Sequence, residues 1–117
     1  MKIAIPTDNG QVSGHFGHCG EFTIYDVDKS GKKVGSKECI ANPGHQPGFL
    51  PGFLAEKGIN CIIAGGMGLK AKQLFDQNNI QTITGASGIV DEVIQEYLAG
   101  NLISKGDYSL TAVHGKC

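Results

Sequence analysis

Residues 61–68 have the sequence CIIAGGMG, and this stretch decides the fold class. Its first four residues are continuously apolar, which is typical of a strand in a parallel sheet that is buried on both faces. A glycine-dense turn follows at residues 65–68, and a helical pattern begins immediately after it and covers residues 69–78. A buried strand, a tight turn and a helix in this order predict a β–α unit of an α/β protein.

The sequence on either side repeats the same alternation. Downstream, residues 81–84 are predicted to form a strand, and residues 89–99 carry apolar side chains at helical spacing. Ser87 is the predicted N-cap of that helix, and Gly100 is the predicted stop after it. Upstream, residues 51–57 are predicted to form a short helix that leads into the buried strand.

The N-terminal third has the pattern of an antiparallel meander. Residues 2–7, 22–28 and 34–40 are predicted strands, and residues 11–21 are predicted to be a loop. Because β–α–β crossovers are right-handed, we expect a five-stranded mixed sheet in the order 3-2-1-4-5. Strands 1, 4 and 5 are then parallel, and helices cover both faces of this α/β sheet.

Length and composition limit the classes of function. The 117 residues fit one domain, which we place at residues 1–103, followed by a polar, flexible tail at residues 104–117. The chain lacks the long apolar run of a membrane span and the pattern of a signal peptide, so we expect a cytoplasmic protein with no membrane partner. A net charge of −1, with no Arg and no Trp, argues against a nucleic-acid partner.

Topology predicts where the functional site lies. Ligands of open α/β sheets bind beyond the carboxyl ends of the strands, at the point where the strand order reverses. Here that point falls between strands 1 and 4, and the loops that leave them cover residues 8–21 and 65–68. Both loops are rich in glycine, so composition and topology indicate the same place.

The first of these loops carries two imidazoles and a thiol within five residues. His15, His18 and Cys19 are ligand types that suit soft or borderline metals, and we expect them to be metal ligands. His45 in the neighbouring irregular stretch is a weaker candidate. Asp8 stands at the end of strand 1, where we expect it to start a turn.

The second loop offers two interpretations. The backbone N–H groups of Gly65, Gly66, Met67 and Gly68 at a helix start favour an anion. Alternatively, these glycines only allow the strand and the helix to pack closely. The loop has neither the Gly-Lys-Ser/Thr ending of a P-loop nor the GxGxxG fingerprint.

Several segments together resemble the dinitrogenase iron–molybdenum cofactor biosynthesis family over roughly residues 1–103. They are Ser13-Gly14-His15-Phe16-Gly17-His18-Cys19 ahead of the second strand, Gly58-Ile59, the strand that enters Gly65-Gly66-Met67-Gly68, and the closing helix through Tyr97, Gly100 and Leu102. The resemblance implies an α/β sheet similar to the ribonuclease H motif without its nuclease residues.

The same resemblance implies a small carrier or accessory protein rather than an enzyme. Its cargo would be an iron–sulfur or iron–molybdenum type cluster, and its partners would be cluster donor or acceptor proteins. Phe16 and Met67 would add apolar contacts to such a soft, flat cargo. The tail residues His114 and Cys117 either have no role or lend exchangeable ligands. The alternatives are a metal-dependent hydrolase that uses Asp8 as base, and a metal or redox sensor.

Overall fold

The computed structural model describes residues 1–14, 19–28, 30, 33–44 and 49–100, and the backbone of residues 108–109. The strands within these residues are β1 (Lys2–Asp8), β2 (Gln11–Val12), β3 (Glu21–Asp28), β4 (Lys33–Ala41), β5 (Cys61–Ile63), β6 (Met67–Gly68), β7 (Gln81–Ile83) and β8 (Tyr108–Ser109). The helices are α1 (Phe49–Glu56), α2 (Leu69–Gln77) and α3 (Val90–Leu98).

The main sheet has the order β4-β3-β1-β5-β7, with β2 paired to β1. β1 pairs with β5 in parallel, and β5 pairs with β7 in parallel, whereas β3 is antiparallel to both β1 and β4. This is the predicted order 3-2-1-4-5 with the predicted strand directions. The mixed α/β sheet expected from the sequence is therefore confirmed.

Helices cover both faces of the sheet, as predicted. On one face α1 and α2 pack over Ala4, Phe22 and Ile62, and on the other face α3 packs over Ile3 and Ile63. β5 contributes side chains to both cores because neighbouring residues of a strand point to opposite faces. All three of its residues are fully buried, which explains its continuous apolar sequence. Cys61 is one of them and serves as a small core side chain.

The prediction that residues 11–21 form only a loop was wrong at its start. Gln11 and Val12 pair with Asp8 and Thr7 in a hairpin whose two-residue turn is Asn9-Gly10. Both turn residues have positive φ, 53° for Asn9 and 79° for Gly10. Asn-Gly is the preferred pair for a two-residue hairpin turn of this kind, since its twist matches that of the strands.

The predicted start of α3 was also wrong. The helix begins at Val90 with Ile89 as its N-cap, and no side chain caps it, so Ser87 does not have the predicted role. Gly88 has a φ of 101°, and Ile89 forms an isolated β-bridge with Gln11. The N–H of Val90 donates to the carbonyl of Gly10 at 3.1 Å. A backbone carbonyl of the β1–β2 turn therefore satisfies one of the free N–H groups of this helix.

The other element ends lie close to their predicted positions. α1 begins two residues before the predicted start at Pro51, which leaves that proline within the first helical turn. Gly58 and Gly100 follow α1 and α3 with φ values of 80° and 82°, as expected for glycines that end helices.

The C-terminal segment contributes one short strand. β8 pairs in parallel with β6, so that Tyr108 lies opposite Met67 and Ser109 opposite Gly68. The domain boundary at residue 103 remains a prediction. Within the described residues, no helix is long and apolar enough to cross a membrane.

Candidate functional site

The carboxyl ends of β1, β5 and β7 lie at one edge of the sheet, and the loops that leave them touch there. A Cβ atom placed on Gly65 would lie 3.0 Å from the carbonyl oxygen of Ser13 and 3.3 Å from that of Ala86. The N–H of Gly85 donates to the carbonyl of Gly65 at 2.9 Å. The strand order reverses at this edge, between β1 and β5. The edge therefore has the position at which open α/β sheets bind ligands.

Gly65 and Gly66 have different surroundings. At Gly65 a side chain would collide with backbone atoms, which is the close-packing interpretation of the glycine-rich turn. At Gly66 the nearest atom to an added Cβ is the carbonyl oxygen of Gly14 at 3.7 Å, an ordinary van der Waals distance. Packing therefore accounts for the glycine at position 65 and leaves the one at position 66 without a steric explanation.

Met67 and Gly68 complete this turn. The side chain of Met67 is buried in the core beneath α2 and has an exposed fraction of 3%. The exposed fraction covers the whole residue, so the backbone of Met67 is buried as well, and it pairs with β8. Gly68 is the N-cap of α2 in an extended conformation, and it has no side chain to receive the first helical N–H groups.

The start of α2 is electropositive. Its first turn has no acidic residue and contains Lys70 and Lys72, of which Lys72 pairs with Asp76 at 2.5 Å. In contrast, the first turn of α3 carries Asp91 and Glu92, the usual arrangement at the positive end of a helix dipole. Neither lysine was among the candidates from the sequence, although the absence of acidic residues after Gly68 was a visible signal.

Cys19 belongs to the described part of the first loop. Its side chain is only 4% exposed and packs in the same core cluster as Phe22 and Met67. The side-chain amide of Asn42 donates to the carbonyl oxygen of Cys19 at 2.9 Å and lies 3.8 Å from its sulfur. Asn42 was not among the candidates from the sequence, because a polar residue in an irregular stretch carries no periodic signal.

Asp8 holds the residue after Cys19. Its Oδ1 atom accepts a 2.7 Å hydrogen bond from the N–H of Gly20. Asp8 is also the last residue of β1 and immediately precedes the Asn9-Gly10 turn, which is the turn-forming role expected from the sequence. The carboxylate is therefore engaged in positioning the first loop.

Most of the predicted metal ligands cannot be placed. His15, Phe16, His18, His45, His114 and Cys117 lie outside the described residues. Among the residues that are described, no group of three or more His, Cys, Asp or Glu side chains could hold a metal ion. The metal-ligand assignments therefore stay predictions.

Three comparisons with known proteins bear on the identity of the chain. Residues 1–100 match the family model described as dinitrogenase iron-molybdenum cofactor. An uncharacterized protein of Methanocaldococcus jannaschii is 36% identical over 107 residues, a match that covers 87% of this chain and 89% of the relative.

Solved structures share the architecture. The crystal structure of PH0822 matches with a TM-score of 0.83 at 30% identity, and the match covers 92% of this chain and 97% of that one. The apo form of the orange protein from Desulfovibrio gigas has a TM-score of 0.71 at 23% identity, over 90% of this chain and 92% of that one. The second likeness supports the fold alone.

Proposed function

Because the chain belongs to the dinitrogenase iron-molybdenum cofactor family, we propose that it binds and carries an iron–sulfur or molybdenum-containing cluster as an accessory to metallocofactor assembly. The family match over residues 1–100 is the observation that carries this proposal. The cluster is cargo that the protein takes up from one partner protein and delivers to another.

The electrostatics of the sheet edge support an anionic cargo. α2 begins without a capping side chain or an acidic residue, and Lys70 lies exposed in its first turn. Sulfide-bridged clusters are often anionic, and free N–H groups at a helix start stabilise negative charge. Gly66, where no steric need for glycine exists, leaves the backbone open to such a ligand.

The proposed metal contacts are His15, His18 and Cys19, with His45 as a weaker candidate. Cys19 lies at the same edge as the α2 start, and its segment is held by a hydrogen bond donated to Asp8 and by one accepted from Asn42. Phe16 and the partly exposed backbone of Gly65, Gly66 and Gly68 would contact the remaining surface of the cluster. Such a site needs few covalent ligands, because a carrier must also release its load.

The position of β8 supports a role of the C-terminal segment in binding the cargo. β8 runs beside β6, which immediately precedes α2, so this segment of the chain reaches the proposed cargo edge. His114 and Cys117 follow β8 in the sequence and are proposed as exchangeable ligands.

We also propose that the protein is not an enzyme. A hydrolase would need a free general base near its metal. Asp8, the candidate for that role, ends β1 and holds the N–H of Gly20 through one carboxylate oxygen, which supports a structural role for this residue.

The test is anaerobic reconstitution with iron and sulfide, and separately with tetrathiomolybdate, followed by gel filtration, metal analysis and visible absorption. We expect a coloured protein with bound metal and sulfide. His15→Ala, His18→Ala and Cys19→Ser should lower the amount of metal retained. Cys39→Ser is the matched control, since Cys39 is an exposed thiol on the edge strand β4.

Unchanged uptake in all three loop variants would reject the proposed contacts. A colourless protein that retains one zinc ion and hydrolyses a phosphate or carboxylic ester would instead favour the hydrolase alternative.

A further inference from the structure

The ends of three strands fasten the segment Cys19-Gly20. β1 contributes Asp8, whose Oδ1 atom accepts from the N–H of Gly20 at 2.7 Å. Asn42, which directly follows β4, donates its backbone N–H to the carbonyl of Gly20 at 3.1 Å and its side-chain amide to the carbonyl of Cys19 at 2.9 Å. β3 begins at the next residue, Glu21. The backbone on both sides of the Cys19–Gly20 peptide is thus fixed to the sheet.

The Asn42 amide also approaches the sulfur itself. Nδ2 lies 3.8 Å from Sγ of Cys19, within the range of N–H···S hydrogen bonds. One amide group thus contacts both the backbone and the side chain of the same cysteine. Such a pair of contacts favours the side-chain rotamer that places Sγ next to the amide.

From these contacts we propose that Asn42 is a positioning residue, which orients the sulfur of Cys19 for coordination of the cargo and stabilises the metal-bound thiolate. The inference rests on the proposed function, since it requires Cys19 to be a ligand.

The burial of Cys19 makes this role chemically useful. A neutral thiol is a weak hydrogen-bond acceptor, whereas a metal-bound thiolate carries negative charge and accepts more strongly. Because Cys19 is only 4% exposed, water can solvate the thiolate charge only slightly. The amide of Asn42 stabilises the charge instead. The contact therefore strengthens when metal is bound. Groups that hold a metal ligand in this way typically account for about 10–100-fold in metal affinity.

Asn42 also organises the second loop. Its Oδ1 atom accepts from the N–H of Gly44 at 3.0 Å, and Gly44 has a φ of 136°. Gly44 directly precedes His45, the weaker ligand candidate. One side chain therefore orders the residue that leads into the second loop while it holds the cysteine of the first. A change at position 42 should affect both loops.

The experiment uses Co²⁺ alone as the probe, because a bond from cobalt to a thiolate sulfur gives charge-transfer absorption in the near ultraviolet. The full-length chain carries Cys39→Ser and Cys117→Ser, which leaves Cys19 and the fully buried Cys61 as its thiols. In this background Asn42→Ala should weaken Co²⁺ binding at least tenfold and reduce the charge-transfer absorption per bound Co²⁺.

Asn60→Ala is the matched control. Asn60 also accepts a backbone hydrogen bond through its side chain, from the N–H of Lys2 at 2.8 Å, but it lies at the opposite edge of the sheet. We expect it to retain the cobalt affinity and spectrum of the parent. An equal loss in Asn60→Ala would show that general destabilisation explains the effect, and it would overturn the inference.

A second variant keeps the test decisive if Asn42→Ala does not fold. Asn42→Asp retains the acceptor for Gly44 and removes the N–H donor to the sulfur. We expect weakened charge-transfer absorption per bound Co²⁺ in this variant, and parent-like absorption would contradict the role of Asn42. Failure of the proposed function looks different: there Cys19→Ser would leave both the affinity and the spectrum of the parent unchanged.

Discussion

The hydroxyl group of Tyr25 in β3 lies 2.5 Å from Oδ1 of Asp91 in the first turn of α3. Lys37 of the edge strand β4 reaches the same oxygen at 2.9 Å. These three side chains join two strands of the sheet to the helix that covers them. Burial and the contact with Asp91 raise the pKa of Tyr25, and the hydrogen bonds from Tyr25 and Lys37 lower the pKa of Asp91.

The first prediction concerns the alkaline stability of the protein. Burial, and then the hydrogen bond to Asp91, raise the pKa of Tyr25 above its ordinary value of 10.0. Its stabilising contribution is therefore complete below pH 10.0 and is lost as the pH rises through the pKa of the folded state. Tyr25→Phe should lower the free energy of unfolding by about 1 kcal/mol at neutral pH. Above pH 10.0 its stability should fall less steeply than that of the wild type. Denaturant unfolding at neutral pH and above pH 10.0 measures both effects.

At low pH the stability of the protein changes with pH in the opposite direction. The hydrogen bond from Tyr25, and then the one from Lys37, lower the pKa of Asp91 below its ordinary value of 3.8. The stability from the ionised carboxylate is present above pH 3.8 and is lost as the pH falls through the lowered pKa. Asp91→Asn should reduce this acid dependence. A variant whose pH profile matches that of the wild type at both ends would contradict the account.

The second prediction concerns two buried hydroxyl groups. Thr7 Oγ1 lies 2.7 Å from the carbonyl of Ile5 and 2.8 Å from Oγ1 of Thr23. Thr7 has one proton, which goes to the carbonyl, so Thr23 must donate to Thr7. Among the described residues, Thr7→Val then leaves the buried Thr23 donor with only a 4.0 Å contact to the sulfur of Cys39. We expect a loss of about 1–3 kcal/mol.

The reverse change should be milder. Thr23→Val leaves the proton of Thr7 bonded to the carbonyl of Ile5 and creates no unsatisfied donor. Its cost should be at most about 1 kcal/mol, from thermal or denaturant unfolding. Equal losses in the two variants would show that the proton assignment is wrong.

The third prediction separates the two glycines of the turn after β5. Gly65→Ala places a Cβ atom 3.0 Å from the carbonyl oxygen of Ser13, and we expect a loss of about 1–3 kcal/mol from overpacking. Gly66→Ala meets its nearest atom at 3.7 Å and should change stability by less than about 0.5 kcal/mol. Chemical denaturation measures both.

The same two glycines can also be tested through the amount of cargo that the protein retains. Gly66→Val should fold and bind less cluster, because its side chain covers the backbone that the proposed anion contacts. If Gly66→Val retains the cargo fully, the turn does not bind it through residue 66, and close packing at Gly65 is the better account of the glycine-rich sequence.

The main strands could be predicted because their signals are local, and the right-handedness of β–α–β crossovers then predicts their order. The continuous apolar run in β5 and the alternating pattern in β3 each identify a strand without reference to the rest of the chain. The β1–β2 hairpin was missed, although the sequence Asn9-Gly10 carries its signal.

The start of α3 and the role of Asn42 depend on contacts between distant residues. The free N–H of Val90 finds the carbonyl of Gly10, and any residue type can supply a backbone carbonyl. Asn42 meets Cys19 only after β3 and β4 have paired and brought their ends together. Neither contact has a pattern that can be recognised in the sequence.

The arrangement of the sheet also has a consequence for the order of folding. β3 and β4 form an antiparallel pair from neighbouring segments, so closing their connection costs little entropy. β1 must instead find β5 in parallel, with Ile3 opposite Cys61, after a long intervening chain has been ordered. We therefore expect the antiparallel meander to be formed in the folding transition state. The β1–β5 pairing should form after it. Substitutions in the meander, such as Ile24→Val, should slow folding, whereas Ile62→Val should mainly accelerate unfolding. The half of the sheet that completes the proposed cargo edge would then be the last to assemble, and a partly folded chain would not yet present that edge to a cluster.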